Sequence, residues 1–525
     1  MSTARRTGGR QGRKTRREES ANPTGIPVWN GGQYKPLSDA EILQVLDTVF
    51  DILEKIGILT EHKNLIGLAQ ERGAFVDARG RLCFPRSLAE DMIGKAAHRI
   101  TLHGQSEEHD IELGGNRVHF ASNGQNPFVS EYPSGNPRPA ELLDVYDFAR
   151  LGDYCDYVHQ FTQTSVATAY GSDTYEQDIN VCYALLSGTS KHVGQAVTDP
   201  VSMPDLAKMA HMFAGGEQQF RDRPFLSLAQ CCVLSPLRFV DDVLDIIQAG
   251  VQDAMPVHCI MFSQGGATAP ASLAGNLAQT TAEVLASMFM CNIFAGKDDH
   301  PVILGNWQGI CDLRTGSLTV GGGETGLVNA AGAQIINHLD LPSAVSAGVS
   351  DSKMLDAQRG AEVAQNNLLA AMSGANMIAE CMGNMSAYLG MSYEGFICDN
   401  DIMGACSRIL RGIEVNADSL DLDVIEETIT GSNHYLDKEQ SLNLMETEYF
   451  YPALANRGSY QEWQENGATD IGQRAHARVH EILSRHFPGT ISEETDAELR
   501  QRFAIDLPKE DMQPGTCRWG APVKI

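Results

Sequence analysis

Residues 341–358, LPSAVSAGVSDSKMLDAQ, read as a strand that runs straight into a polar loop. The apolar part, 342–347, is short and bounded by Pro and Gly, the pattern of a strand buried on both faces of a parallel sheet. Ser350, Asp351, Ser352 and Lys353 then crowd the turn, and a helical pattern starts near Met354 and continues through AQRGAEVAQNNLLAAMSGAN. At the carboxyl end of a barrel strand such a cluster faces a pocket, although Ser and Asp are also ordinary helix N-caps.

The same alternation repeats along the chain. Short apolar or β-branched runs occur at RVHFAS (117–122), VHQFTQTSV (158–166), HVGQAV (192–197), FLSLAQCCV (225–233), VHCIMFS (257–263), PVILGN (301–306), SAVSAG (343–348) and, weakly, ANMIAEC (375–381). Helix-like segments such as AELLDVYDFARL and LAGNLAQTTAEVLASMF separate them. Eight strand–helix units over about 260 residues have the dimensions of a (βα)8 TIM barrel, an α/β fold whose sites lie on the strand-to-helix loops. A doubly wound sheet is disfavoured because no GxGxxG follows a first strand; glycines 321–323 read as a tight turn before a helix opening at Glu324.

The expected organisation is a disordered basic arm (1–30), an N-terminal helical cap (31–116), the barrel (117–393) and a C-terminal helical extension (394–525). Ser38 and Glu41 form a capping box for the first helix of the cap.

Composition narrows the function. Of 525 residues 42% are hydrophobic and 20% charged, as in an ordinary globular protein, and no apolar run is long enough for a membrane span. The net charge is −27, yet the first nineteen residues carry +5, so the body carries −32. Such a body is a poor partner for nucleic acid. Twelve cysteines without a CxxC pair read as reduced thiols in a cytoplasmic protein. His159, His192 and His258 lie at strand starts, the wrong end for a barrel site, and no HxH or HExxH exists, so no metal centre is expected.

The expected strand ends are rich in amides and rings. Gln163, Gln195, Gln230 and Asn306 are expected to orient a small polar or cationic ligand, and Phe161, Phe262 and Trp307 to wall it. Glu324 joins the same binding set.

Several separated segments carry a family resemblance: GGQYKPLSDAEI, ILEKIGI, LRTGSLTVGGGETGLVNAA (313–331), the SDSKMLDAQ loop, LAAMSGANMI, SYEGFICDND (392–401) and RGIEV (411–415). In this order they resemble the trimethylamine methyltransferase family. The resemblance implies a barrel that passes a methyl group from a methylamine, or from a quaternary amine such as a betaine, to the cob(I)alamin of a partner corrinoid protein. It also implies that this chain holds no tightly bound cofactor of its own. Archaeal trimethylamine enzymes carry pyrrolysine after the seventh strand, within a region matching 346–353 here. This chain has only standard residues there and resembles the non-pyrrolysine branch acting on quaternary amines.

A quaternary ammonium is already a leaving group, so attack by Co(I) requires orientation rather than proton transfer. Ser350, Asp351 and Lys353 are the expected catalytic residues, with Lys353 facing a betaine carboxylate. The expected partners are the amine, the corrinoid protein and further copies of the chain, without nucleic acid or membrane. The alternatives are demethylation of trimethylamine itself, a metal-assisted hydrolase or lyase on the same fold, and a non-catalytic betaine-binding protein.

Overall fold

The structure is a computed structural model and describes residues 29–520. The basic stretch 5–17 lies outside the described residues.

Eight parallel strands form the centre: β1 (Arg117–Phe120), β2 (Gln160–Thr162), β3 (His192–Gln195), β4 (Leu226–Cys231), β5 (Val257–Gly265), β6 (Val302–Asp312), β7 (Ser343–Ser346) and β8 (Met377–Ala379). Each pairs with its neighbour in chain order. The ring closes where β8 meets β1, His119 opposite Met377, and where Ala121 bridges Gln160 of β2. The eight expected runs are therefore the eight strands of a closed barrel. They are short and apolar because both of their faces are covered.

The helices of the ring are α1 (Leu142–Tyr154), α2 (Thr174–Gly188), α3 (Met203–Ala214), α4 (Asp241–Gln252), α5 (Leu273–Ala295), α6 (Gly323–His338), α7 (Ala357–Ser373) and α8 (Tyr393–Leu410). The expected boundary at 393/394 thus falls inside the eighth strand–helix unit. Acidic composition made α8 read as the start of an extension, yet it buries Phe396, Met403 and Cys406 and stacks Tyr393 on Phe148 of α1 at 4.1 Å between ring centroids.

Side chains alternate across each strand. On β5, Cys259 and Met261 join the outer apolar layer with α5, whereas Ile260 clusters inside the barrel with Ala229, Trp307 and Ala379. A hairpin of Ile100–Leu102 and Ile111–Leu113 closes the amino-terminal floor against Ala121, Ile303, Ala344 and Met377. The three N-terminal helices, Asp39–Asp51, Lys63–Glu71 and Arg86–Lys95, lie along the flank rather than over an end: Ile42 and Val49 share a buried cluster with Leu285 and Phe289 of α5. The expected capping box is present, Ser38 N donating to Glu41 Oε2 at 2.8 Å. No helix among the described residues is long and apolar enough to cross a membrane.

Candidate active site at the barrel mouth

The residue after β8 is Glu380. Its backbone is left-handed, φ 62°, and its side chain is 3% exposed. Ser346, the last residue of β7, donates its hydroxyl to Glu380 Oε2. Tyr388 donates to the same oxygen at 2.7 Å, and the two hydroxyls lie 2.9 Å apart. Burial pushes the Glu380 carboxyl up to about 7, with the two hydroxyls pulling it back part of the way. Burial and the neighbouring carboxylate hold the Tyr388 hydroxyl well above the usual tyrosine range. Among the described residues no Lys, Arg or His forms an ion pair with Glu380. A buried carboxylate satisfied only by hydroxyls is a charge waiting for a counter-ion.

Rings surround this group. Tyr388 meets Phe262 edge to face at 5.6 Å, and Phe262 packs on the inner cluster of Ala229, Ile260, Trp307 and Ala379. The Trp307 indole N–H has no hydrogen-bond partner among the described residues. Cys231, which ends β4, is exposed while the strand before it is buried, and Phe262 and Tyr388 are half-buried. The ring contact of Phe262 with Tyr388 places these accessible surfaces at the carboxyl end of the barrel.

Tyr388 reaches Glu380 through strained backbone. Ser386, Ala387 and Tyr388 have φ of 54°, 51° and 71°, and left-handed geometry costs a non-glycine residue about 1–2 kcal/mol. The surroundings hold it in place. Ser386 N donates to Ser352 O at 2.9 Å and Ala387 N to Ser350 O at 3.1 Å. Gly383 N donates to Asp399 Oδ2 at 2.7 Å, and Arg359 holds Asp399 with two bonds of 2.9 and 2.6 Å.

Several sequence expectations land elsewhere. Phe262 and Trp307 are at the mouth, but Phe161 points outward and fills the space beside Gly152 of α1. The amides also turn away from it. Gln195 donates to Asp178 O of α2 at 2.9 Å, Gln230 to Val197 O at 3.0 Å and Asn306 to Thr281 Oγ1 of α5 at 3.0 Å. Gln163 donates to Ser165 O at 3.0 Å. The physical reason is the two-residue period of a strand, by which a neighbour one position away faces the opposite layer. Glu324 is exposed in the first turn of α6.

The Ser350 to Lys353 loop does not carry its side chains to Glu380. Ser350 Oγ donates to Glu362 at 2.6 Å, and Asp351 accepts from Val320 N at 3.0 Å. Lys353 is exposed and donates back to Asp351 O at 2.5 Å. The loop contributes through its carbonyls, which fix the Tyr388 segment. Lys353→Ala should therefore leave kcat/KM within about twofold, the usual range of a surface substitution; steady-state kinetics on any accepted substrate will check it.

Sequence reasoning missed Ser346, Glu380, Tyr388 and Cys231. Ser346 and Glu380 sat inside the quoted runs SAVSAG and ANMIAEC, and a lone Glu in an apolar run was the available signal.

Fold and site together define a (βα)8 enzyme whose mouth presents one buried carboxylate among rings. The family model described as trimethylamine methyltransferase (MTTB) matches residues 5–508, and the chain belongs to that family, which makes it an enzyme of the methyltransferase class. Glycine betaine methyltransferase of Desulfitobacterium hafniense (strain Y51) is 28% identical over 478 residues, covering 91% of this chain and 98% of that protein. Trimethylamine methyltransferase MttB of Desulfitobacterium hafniense (strain DSM 10664 / DCB-2) is 29% identical over 489 residues, 91% of this chain and 95% of that one. Among solved structures, Xanthomonas albilineans dihydropteroate synthase aligns with TM-score 0.36 and 12% identity over 60% of this chain and 100% of that chain; it adds nothing to the strand order described above.

Proposed function

We propose that the mouth binds a methylated ammonium ion and presents one of its N-methyl groups to the corrinoid of a partner protein. The observation that carries this reading is Glu380, a buried carboxylate bonded, among the described residues, by Ser346 and Tyr388 alone, beside the Phe262 and Tyr388 rings. A quaternary ammonium cannot donate a hydrogen bond, so charge opposition and ring faces are what can hold it. Phe262, Tyr388 and Trp307 offer the faces, and Glu380 offers the charge.

A corrinoid, when bound, supplies a reduced cobalt nucleophile that accepts the methyl group. The chain's own surface suits a partner that brings one. Val201, Leu234, Leu313, Met354 and Leu389 are large apolar side chains, all more than half exposed, and they sit on loops that follow β3, β4, β6, β7 and β8. An apolar rim of this kind around a mouth marks a docking surface. With a quaternary substrate the departing amine is neutral and requires no acid. A tertiary amine leaves better when protonated, and the raised Glu380 carboxyl can hold that proton near neutrality, which favours trimethylamine as a second reading.

The deciding experiment incubates the protein with reduced cobalamin and glycine betaine, choline, tetramethylammonium or trimethylamine, reading methyl transfer from the cobalamin spectrum. Transfer from at least one of them is expected; none from any would overturn the reading. Binding should also follow Glu380 ionisation. The affinity for tetramethylammonium should rise about tenfold per pH unit up to about pH 7 and level off above it, since Tyr388 stays neutral throughout. Calorimetric titration across pH 5 to 9 will test this.

A further inference from the structure

Asp144, in the first turn of α1, is wholly buried and collects more donors than its charge requires. Arg138 grips it with two bonds of 2.7 Å, a fork that by itself neutralises the carboxylate. Glu141 N donates to it at 2.8 Å and the Tyr393 hydroxyl at 2.7 Å. Arg518 then brings a second guanidinium. Its Nη2 donates to Asp144 Oδ1 at 2.8 Å and to the Tyr393 hydroxyl oxygen at 2.7 Å, and its Nε donates to Asp147 Oδ2 at 2.7 Å. Asp147 has its own counter-ion in Arg150, which donates to it at 2.8 Å. Burial works to raise the Asp144 carboxyl, but the two guanidiniums overcome it and hold the group down to about 2. Both carboxylates are paired without Arg518, so what Arg518 adds is direction rather than charge.

The groups clamped in this way frame the segment that carries Tyr388. The loops after β1 and β8 meet in a four-stranded sheet, in the order Asn384–Met385, Gly390–Met391, Phe128–Glu131, Asn136–Pro139. Met391 lies opposite Val129, and Val129 opposite Arg138. One row of this sheet therefore ends on Arg138, which grips Asp144, and Tyr393, also bonded to Asp144, follows Met391 by two residues. Tyr388 sits in the turn between Asn384–Met385 and Gly390–Met391, which pair antiparallel. Its left-handed backbone persists only while the surroundings hold it. On one side the Ser350 and Ser352 carbonyls do so; on the other the restraint runs through this sheet to Asp144.

We infer that Arg518 is a positioning residue for methyl transfer: by bridging Asp144 and Tyr393 it fixes the sheet that keeps the Tyr388 hydroxyl on Glu380. The inference rests on the reading of Glu380 as the counter-charge of the bound ammonium. Trp519 seats the bridge, its indole N–H donating to Asp147 Oδ2 at 2.6 Å and its ring meeting Tyr393 edge to face at 5.3 Å. Arg518 lies 374 positions from Asp144 in the chain, so the segment that carries it closes the clamp from outside the barrel units it joins.

The test follows Glu380 itself. The hydrogen bond from Tyr388 favours the ionised carboxyl and pulls it down against burial. The other ionisable groups that bear on the pair, the Tyr388 hydroxyl and the Cys231 thiol, are not bases. Loosening Tyr388 should therefore make Glu380 titrate higher. The measurement is the infrared absorption of the protonated Glu380 carboxyl, identified by its loss in Glu380→Gln and followed from pH 5 to 9 with no amine present. The unsubstituted protein should titrate at about 7. Arg518→Ala should titrate higher by about half a pH unit, and Arg518→Lys, which keeps the charge without the planar fork, should recover part of that rise. In a Tyr388→Phe background Arg518→Ala should bring no further rise, because the bond it supports is already gone. No rise in Arg518→Ala, or in Arg518→Gln should the alanine variant not fold, would overturn the inference, as would an undiminished rise in the Tyr388→Phe background. Because no amine is present, a failure of the unsubstituted protein to bind tetramethylammonium would count against the cation site and leave this result standing.

Discussion

Glu380→Gln should lower kcat/KM for a methylated ammonium by about two to three orders of magnitude while making the protein more stable above pH 7. The first effect follows from Coulomb attraction, worth about 4 kcal/mol at 4 Å in a partly shielded site; no basic group among the described residues neutralises this carboxylate. The second follows from its titration. The folded carboxyl titrates at about 7 and its ordinary value is 4.5, so the folded chain holds the proton more tightly than the unfolded one. Its contribution to stability is whole below pH 4.5, falls as pH rises to 7 and stays low above that, a loss of roughly 3 kcal/mol. Glutamine has no such loss. Urea unfolding at pH 4 and pH 8 beside the kinetics will test the pair of effects. A variant equally active, or one destabilised at pH 8, removes Glu380 from the cation site.

Asp399→Ala should destabilise the chain by about 3–5 kcal/mol, the effect of leaving a buried charge without its partner. Arg359 is 1% exposed and gives Asp399 two bonds. The substitution also frees Gly383 N, whose bond to Asp399 begins the loop that carries Tyr388. Activity should therefore fall further than the folded fraction explains, because the left-handed run 386–388 loses a restraint. Chemical denaturation and kcat/KM corrected for the folded fraction will separate the two losses, and an unchanged unfolding midpoint would contradict this account.

These residues mark where sequence reading succeeds and where it stops. Strands such as SAVSAG and PVILGN were legible because a strand buried on both faces has to be short and apolar, and the Ser38 helix because its cap is chemically specific. The facing of single side chains was harder to read. Asn306 and Trp307 are adjacent, yet one bonds α5 and the other lines the barrel interior, and the run PVILGN stops at Asn306 where β6 continues to Asp312. Glu380 and Tyr388 are eight positions apart and meet through left-handed residues that are not glycines, so no spacing rule points to them. The chain from 394 onward read as a C-terminal helical extension; that its first helix instead completes the barrel shows only in its packing against α1.

The hairpin under the barrel floor fixes the traffic through the enzyme. With Leu102 and Leu113 wholly buried against the starts of β6, β7 and β8 and the residue after β1, the hairpin closes that end of the barrel among the described residues and leaves the mouth as its open end. On the proposed reading the protein that takes the methyl group seats on the rim of that mouth. Amine must then enter first, and the demethylated amine stays trapped until the partner lifts away. Turnover acquires a compulsory order, its pace is set by the partner's residence time, and an excess of unloaded partner acts as a stopper that slows the enzyme it serves.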